Sequence, residues 1–216
     1  MLVVFDLDGT LIDSRRDLAD AANALIVEHG GQPLPVERIS RMVGEGAALL
    51  VRRALAAAGL VEDTPGALPQ FLDLYSERLL VHTRLYDGVE EVIAVLRPSA
   101  RLAILTNKPL KPTRAILDGL GIARAFDWIL GGDGPHPRKP DPAGLQWIAE
   151  RAGVPVASAV LVGDSAIDLA TARNAGSTIC LARYGFGYHD LDGRLAGDEL
   201  VADAPGDIPR LIASRS

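Results

Sequence analysis

The chain opens on an unbroken apolar run, Leu2-Val3-Val4-Phe5, that stops at Asp6-Leu7-Asp8-Gly9. A short apolar run closed by a glycine turn predicts a buried strand. From Ser14 the period changes: Leu18, Ala21, Ala22, Leu25 and Ile26 recur at helical spacing up to Gly30-Gly31, and Ser14-Arg15-Arg16-Asp17 has the look of a capping box. Further helical patterns run over 36–43, over 47–58 before Gly59, and through Leu68, Phe71, Leu72, Tyr75 and Leu79. No strand-like run interrupts them. Residues 15–85 are therefore expected to form an all-helical unit inserted after the first strand, with residues 1–14 and 86–216 forming the core domain.

Beyond the insertion, helix and strand alternate. The pattern predicts helices over 89–96, 113–120 and 143–152, followed by strands over 102–105, 126–130 and 159–162 respectively. A last helix reaches Gly176 before a strand over 178–181. Such βαβ alternation specifies an α/β fold, a doubly wound parallel sheet with helices on both faces.

Composition narrows the classes. With 48% hydrophobic and 23% charged residues, the 216-residue chain matches an ordinary globular protein. A formal net charge of -6 with no basic run argues against nucleic acid as a partner. There is no signal-peptide pattern at the start and no apolar stretch of membrane-spanning length, so a cytoplasmic protein without a membrane partner is expected. The single cysteine, Cys180, excludes an intrachain disulfide and leaves oxygen or imidazole ligands for any metal. The four histidines lie far apart and form no ligand spacing.

Candidate chemistry sits where the predicted strands end, which is where open parallel sheets bind ligands. Asp6 and Asp8 follow the first strand, and residues two apart in an extended segment share a face. Thr106-Asn107-Lys108 follows the strand over 102–105; Gly131-Gly132-Asp133 and then Arg138-Lys139-Pro140 follow the strand over 126–130; Gly163-Asp164-Ser165 follows the strand over 159–162, with Asp168 one helical turn on. Only three of the 22 basic residues are lysines, Lys108, Lys111 and Lys139, so Lys139 stands out against an arginine-rich background as a compact ammonium.

In this order, Phe5-Asp6-Leu7-Asp8-Gly9-Thr10-Leu11, Thr106-Asn107-Lys108, Lys139-Pro140-Asp141-Pro142 and Gly163-Asp164-Ser165-Ala166-Ile167-Asp168 resemble the motifs of the haloacid dehalogenase superfamily. The match extends over nearly the whole chain. Within the superfamily the resemblance is to the phosphoglycolate phosphatase-like group, whose helical cap follows the first strand; Tyr184-Gly185-Phe186-Gly187 is also similar to that group. Tyr86-Asp87-Gly88 departs from the pattern by lacking a proline before the glycine.

The resemblance implies a phosphatase acting through an aspartyl-phosphate. Asp6 would be the nucleophile and Asp8 the acid and base, with Thr106 and Asn107 holding phosphoryl oxygens. Lys139 would neutralise charge, Asp6, Asp8 and Asp164 would hold Mg2+, and Asp168 would steady Lys139. Electrostatics agree on the metal: two carboxylates about 4 Å apart repel by roughly 4 kcal/mol at an effective dielectric near 20, and all-oxygen ligands suit Mg2+. The insertion would act as a movable cap, with Gly44-Glu45-Gly46 and Arg41, Arg52 and Arg53 as candidates for meeting the leaving group; a cap arginine would favour a small acidic ester such as phosphoglycolate. A sugar-phosphate mutase or a pyrophosphatase would use the same core residues. A receiver-like signalling domain does not account for the helical insertion. The expected partner is a small phosphorylated metabolite, and the sequence leaves the oligomeric state open.

Overall fold

The first strand, β1 (Leu2–Phe5), is buried on both faces. Its alternation feeds two separate apolar layers: Val3 and Phe5 join one, Leu2 and Val4 the other. The computed structural model describes residues 1–191 and 193–214. After β1 come β2 (Ile12–Asp13), then α1 (Arg15–Glu28), α2 (Val36–Ser40), α3 (Ala47–Ala57) and α4 (Ala67–Ser76), then β3 (Arg84–Leu85). The remainder alternates: α5 (Val89–Leu96), β4 (Arg101–Leu105), α6 (Leu110–Gly119), β5 (Trp128–Leu130), α7 (Ala143–Ala152), β6 (Ala159–Gly163), α8 (Ala166–Ala175), β7 (Thr178–Ala182), β8 (Leu200–Ala202) and α9 (Ile208–Ala213).

Six strands form a parallel sheet in the order β5-β4-β1-β6-β7-β8. The order reverses around β1: the chain builds outward through β4 and β5, then returns to β6 on the other side. That reversal is where an open α/β sheet forms its ligand crevice. The registers Phe5↔Ile104 and Phe5↔Val162 bring the carboxyl ends of β4, β1 and β6 to one level. Asp6, Thr106 and Asp164 consequently emerge together at that edge.

Helices α1 to α4 stand between β2 and β3, which pair antiparallel through Ile12↔Leu85 and Asp13↔Arg84. The helical insertion is thus joined to the sheet by a two-stranded ribbon. Asp17 reinforces the junction: its buried carboxylate accepts hydrogen bonds from the backbone N–H groups of His82 and Thr83 and from Thr83 Oγ1 at 2.8 Å. The expected capping box does not form. Ser14 is the N-cap residue, yet its hydroxyl donates to Asp8 instead of to the helix, and Asp17 serves the returning chain.

Two other expectations shift. Helix α6 starts three residues early, at Leu110, because Pro112 lies in the first turn, where its missing N–H costs nothing. Strand β5 begins at Trp128, after a short 3-10 turn over Ala123–Ala125. β2, β3, β8 and α9 went unforeseen; each is too short for its apolar period to show. Among the described residues no helix is long and apolar enough to cross a membrane.

Candidate active site

Two buried lysines organise the edge of the sheet. Lys139 Nζ lies 2.9 Å from Asp6 Oδ1 and 2.6 Å from Asp168 Oδ1. Lys108 Nζ lies 2.9 Å from both oxygens of Asp8. Burial alone would lower the pKa of each ammonium, but the carboxylates win: Asp168 and Asp6 leave Lys139 raised, and Asp8, with Tyr75, leaves Lys108 raised. Both stay charged across the physiological range.

Asp168 shows how local structure serves the site. Ser165 caps α8 in a full capping box, with Asp168 Oδ2 accepting from the Ser165 N–H and hydroxyl. Its other oxygen is thereby fixed toward Lys139. The Gly-Asp-Ser segment is at once a helix start and part of the site.

Asp6, Asp164 and Asp168 offer carboxylate oxygens within 4.8 Å of one another, all buried. Burial pushes Asp6 up to about 6 against the opposing pull of Lys139, with Asp168 adding to the rise. Asp164 is raised well above the usual carboxylate range by burial and then by Asp168 and Asp6. Asp6 Oδ1 lacks a hydrogen bond of regular geometry despite its nearness to Lys139. Asp164 receives a backbone hydrogen bond from Gly187 at 2.7 Å.

This part of the chain is shaped around Asp164. Gly9 has φ +83°, and a Cβ there would lie 2.0 Å from Asp164 Oδ2. At Gly185 a Cβ would come within 2.3 Å of Asp164 Cβ and of the Gly9 carbonyl oxygen. The Tyr184-Gly185-Phe186-Gly187 segment therefore wraps Asp164 where side chains have no room. Tyr184 adds a hydrogen bond from its hydroxyl to the Thr10 carbonyl at 2.8 Å.

The charges select for a cation. Four carboxylates, Asp6, Asp8, Asp164 and Asp168, face two ammonium groups, a formal deficit of two that burial makes costly. One divalent ion beside Asp6 and Asp164 would close it, and an all-oxygen donor set suits Mg2+. The Asp8 carboxylate is not among the clustered oxygens. It is turned to Lys108 and Ser14, because the strand ends at Phe5 and the same-face rule for extended chain no longer applies.

Thr106 is buried, and its Oγ1 accepts from the Lys108 N–H, so the hydroxyl proton can still be donated toward the cavity. The Asn107 side-chain amide is occupied within the protein. It donates to the carbonyls of Gly44 and Lys139, both at 3.0 Å. It ties the insertion's loop to the Lys139 loop, leaving a buried Oδ1 without a partner.

A cavity lies between the sheet edge and the insertion, lined by Asp6, Asp8, Thr106, Asn107 and Lys108 from below. Val43, Gly44, Gly46, Leu50, Phe71 and Tyr75 are among the residues closing it from above. Gly44 and Gly46 thus lie where the sequence put them. Arg41 and Glu45 do not: both are exposed and outside the lining, and Glu45 pairs with Arg53. Arg52 pairs with Glu62 and Asp63 on the surface. The loop's glycines face inward and its charges face solvent.

Lys108 and Tyr75 line the cavity beside Asp8, and sequence reasoning gave neither a role. Lys108 carried a signal, being one of three lysines and sitting directly after Thr106-Asn107. Tyr75 carried none, since it fell on the apolar stripe of α4.

Acids and a buried lysine at the switch point of a doubly wound sheet, beneath a helical insertion, define an enzyme built for transfer of an anionic group. Residues 1–176 match the family model of the haloacid dehalogenase-like hydrolases, and the chain belongs to that family. It is a phosphatase. It is 42% identical over 192 residues to phosphoglycolate phosphatase of Rhodospirillum rubrum, covering 85% of this chain and 80% of that protein. It is 38% identical over 193 residues to phosphoglycolate phosphatase 1 of Pseudomonas aeruginosa, covering 87% and 71%. A crystal structure described as a predicted phosphoglycolate phosphatase from Haemophilus somnus superposes with a TM-score of 0.89 at 31% identity, covering 97% of this chain and 96% of the other.

Proposed function

We propose that the chain hydrolyses a small phosphomonoester in the cytoplasm, with phosphoglycolate as the leading substrate, through a phosphoryl group carried on Asp6. The observation that carries this reading is the pairing of acids with separate cations. Asp6 is a buried carboxylate beside Lys139, whereas Asp8 stands apart beside Lys108 on the same cavity wall. The two aspartates are thus placed in different environments, the arrangement that allows neighbouring carboxyls different roles.

In the first step an Asp6 carboxylate oxygen attacks phosphorus, the phosphorus–oxygen bond to the leaving alcohol breaks, and Asp8 gives its proton to the departing oxygen. In the second, Asp8 takes a proton from water as the water oxygen attacks phosphorus, and Asp6 is released with inorganic phosphate. Lys139 holds Asp6 in place and offsets the charge gathering on the phosphoryl oxygens, and the Thr106 hydroxyl donates to one of them. Asp168 and Ser165 fix Lys139 through the α8 cap. Mg2+ held by Asp6 and Asp164 would supply the remaining charge compensation.

The cavity above Asp8 is walled by Val43, Leu50, Phe71 and Tyr75 of the insertion, and a small leaving group is the one we propose for it. The family relatives named as phosphoglycolate phosphatases support the same choice.

Purified protein is expected to hydrolyse p-nitrophenyl phosphate and phosphoglycolate with Mg2+, and to lose on the order of 100-fold or more in rate when EDTA is added, since the metal term amounts to several kcal/mol. Restoration by excess Mg2+ checks that the loss is the ion's. Equal rates with and without chelator would remove the metal from the mechanism.

A further inference from the structure

The wall of the cavity that faces the leaving group is almost wholly apolar. Val43, Leu50, Phe71, Leu72, Pro109 and Pro112 form much of it, and the insertion's candidate arginines are elsewhere. Two polar groups interrupt this surface. Lys108 Nζ is one, and Tyr75, whose ring lies 4.7 Å from that nitrogen, is the other. Tyr75 is 2% exposed; its oxygen faces the Lys108 ammonium without a hydrogen bond of regular geometry, and its hydroxyl proton has no acceptor. Leaving a buried hydroxyl unpaired in an apolar cavity costs roughly 1–3 kcal/mol. Phenylalanine would fill the same space without that cost.

An ammonium has three donors. Two are directed at the two oxygens of Asp8, each at 2.9 Å, which leaves one for the side on which Tyr75 lies. A partner accepting from both Lys108 and Tyr75 would satisfy the two groups together. Position then limits its chemistry. An ester oxygen protonated by Asp8 must lie at Asp8, and Lys108 touches Asp8, so the accepting group sits only one or two carbons from that oxygen.

Resting on the phosphatase reading above, we infer that Lys108 and Tyr75 form the specificity site for a carboxylate borne by the leaving alcohol, in place of the cap arginines. The pair reads a small 2-hydroxy acid released from its phosphate ester. The apolar wall around it excludes hydrated and bulkier groups, and the carboxylate supplies the acceptor that the Tyr75 hydroxyl proton lacks while sharing the Lys108 charge.

The test compares phosphoglycolate with ethyl phosphate, an ester with a leaving group of the same chain length and no carboxylate, in wild type, Tyr75→Phe, Lys108→Met, Lys108→Arg and Arg41→Ala. The quantity read is the ratio of kcat/KM values for the two esters. Tyr75→Phe is expected to lower that ratio about tenfold and Lys108→Met by 10- to 100-fold, the worth of hydrogen bonds to an ionised acceptor, the second from a charged donor. Lys108→Arg should recover part of the loss, and Arg41→Ala should stay within about twofold of wild type. Tyr75→Phe removes only an oxygen, so it tests the inference even if Lys108→Met does not fold. An unchanged ratio in Tyr75→Phe, or a collapse in Arg41→Ala, overturns the inference while leaving the phosphatase reading intact. Failure of wild type to hydrolyse either ester or p-nitrophenyl phosphate overturns that reading instead.

Discussion

Asp6→Asn is expected to lose turnover by on the order of ten-thousand-fold, the scale seen when a nucleophile is removed from a catalytic unit, while its fold becomes more stable. The two effects share one cause. Asp6 is ionised in a buried place, and its pKa is pushed up to about 6 from an ordinary 3.8 by burial first and by Asp168 next, with Lys139 offsetting only part of this. A carboxyl whose folded pKa is raised stabilises the fold fully below its unfolded pKa and loses that contribution as pH rises through the folded value. At pH 7.5 in EDTA the charged form therefore costs about 3 kcal/mol, from roughly 1.4 kcal/mol per pKa unit. Asparagine has no such cost. The variant should melt higher than wild type at pH 7.5 without metal, and the gap should narrow as pH falls through about 6 and close toward pH 3, below the unfolded value of 3.8, where Asp6 is neutral in both folded and unfolded chains. Added Mg2+ should narrow the gap at pH 7.5 by stabilising wild type. Thermal melts across that range check the sign; near-normal activity in a preparation free of deamidation would point to another nucleophile.

Lys139→Met should damage both stability and turnover. Its ammonium is nearly inaccessible and stands between Asp6 and the fully buried side chain of Asp168. Removing one member of such a buried cluster leaves uncompensated charge, which costs about 3–5 kcal/mol. In a chain of this size that corresponds to a fall in Tm of roughly 10 °C. The damage should ease at pH 4.5, where Asp6 is protonated and repulsion with Asp168 falls. Lys139→Arg is not expected to rescue it, since a planar guanidinium does not fit a pocket built for a point charge. An unaltered melting temperature in Lys139→Met would mean that the ion cluster does not form in solution.

Much of the fold was legible because it rests on repetition. The alternation of Leu2 and Val4 against Val3 and Phe5 feeds two apolar layers, and the periodic stripes that announced α1, α3, α4, α5 and α7 are long enough to rise above chance. β2, β3 and β8 have only two or three residues each, so no period exists to be read. The ribbon that joins insertion to sheet was for that reason invisible. At the candidate site, Asp6, Thr106, Asp164, Asp168 and Lys139 were legible because strand ends in a parallel sheet converge. Side-chain direction beyond the strand was not, and this is why the surroundings of Asp8, Asn107 and Arg41 could not be read from the sequence.

The sequence by itself determined the class of fold, the helical insertion and the family, since these follow from period, order and motif spacing. Tertiary structure alone decided which cation each acid meets, that Ser14 serves Asp8 rather than α1, and that Lys108 and Tyr75 share one cavity. Apart from Ser14 and Asp8, those pairings join residues tens of positions apart; convergence of the strand ends brings the acids to their cations, and packing of the insertion on that edge brings Tyr75 to Lys108.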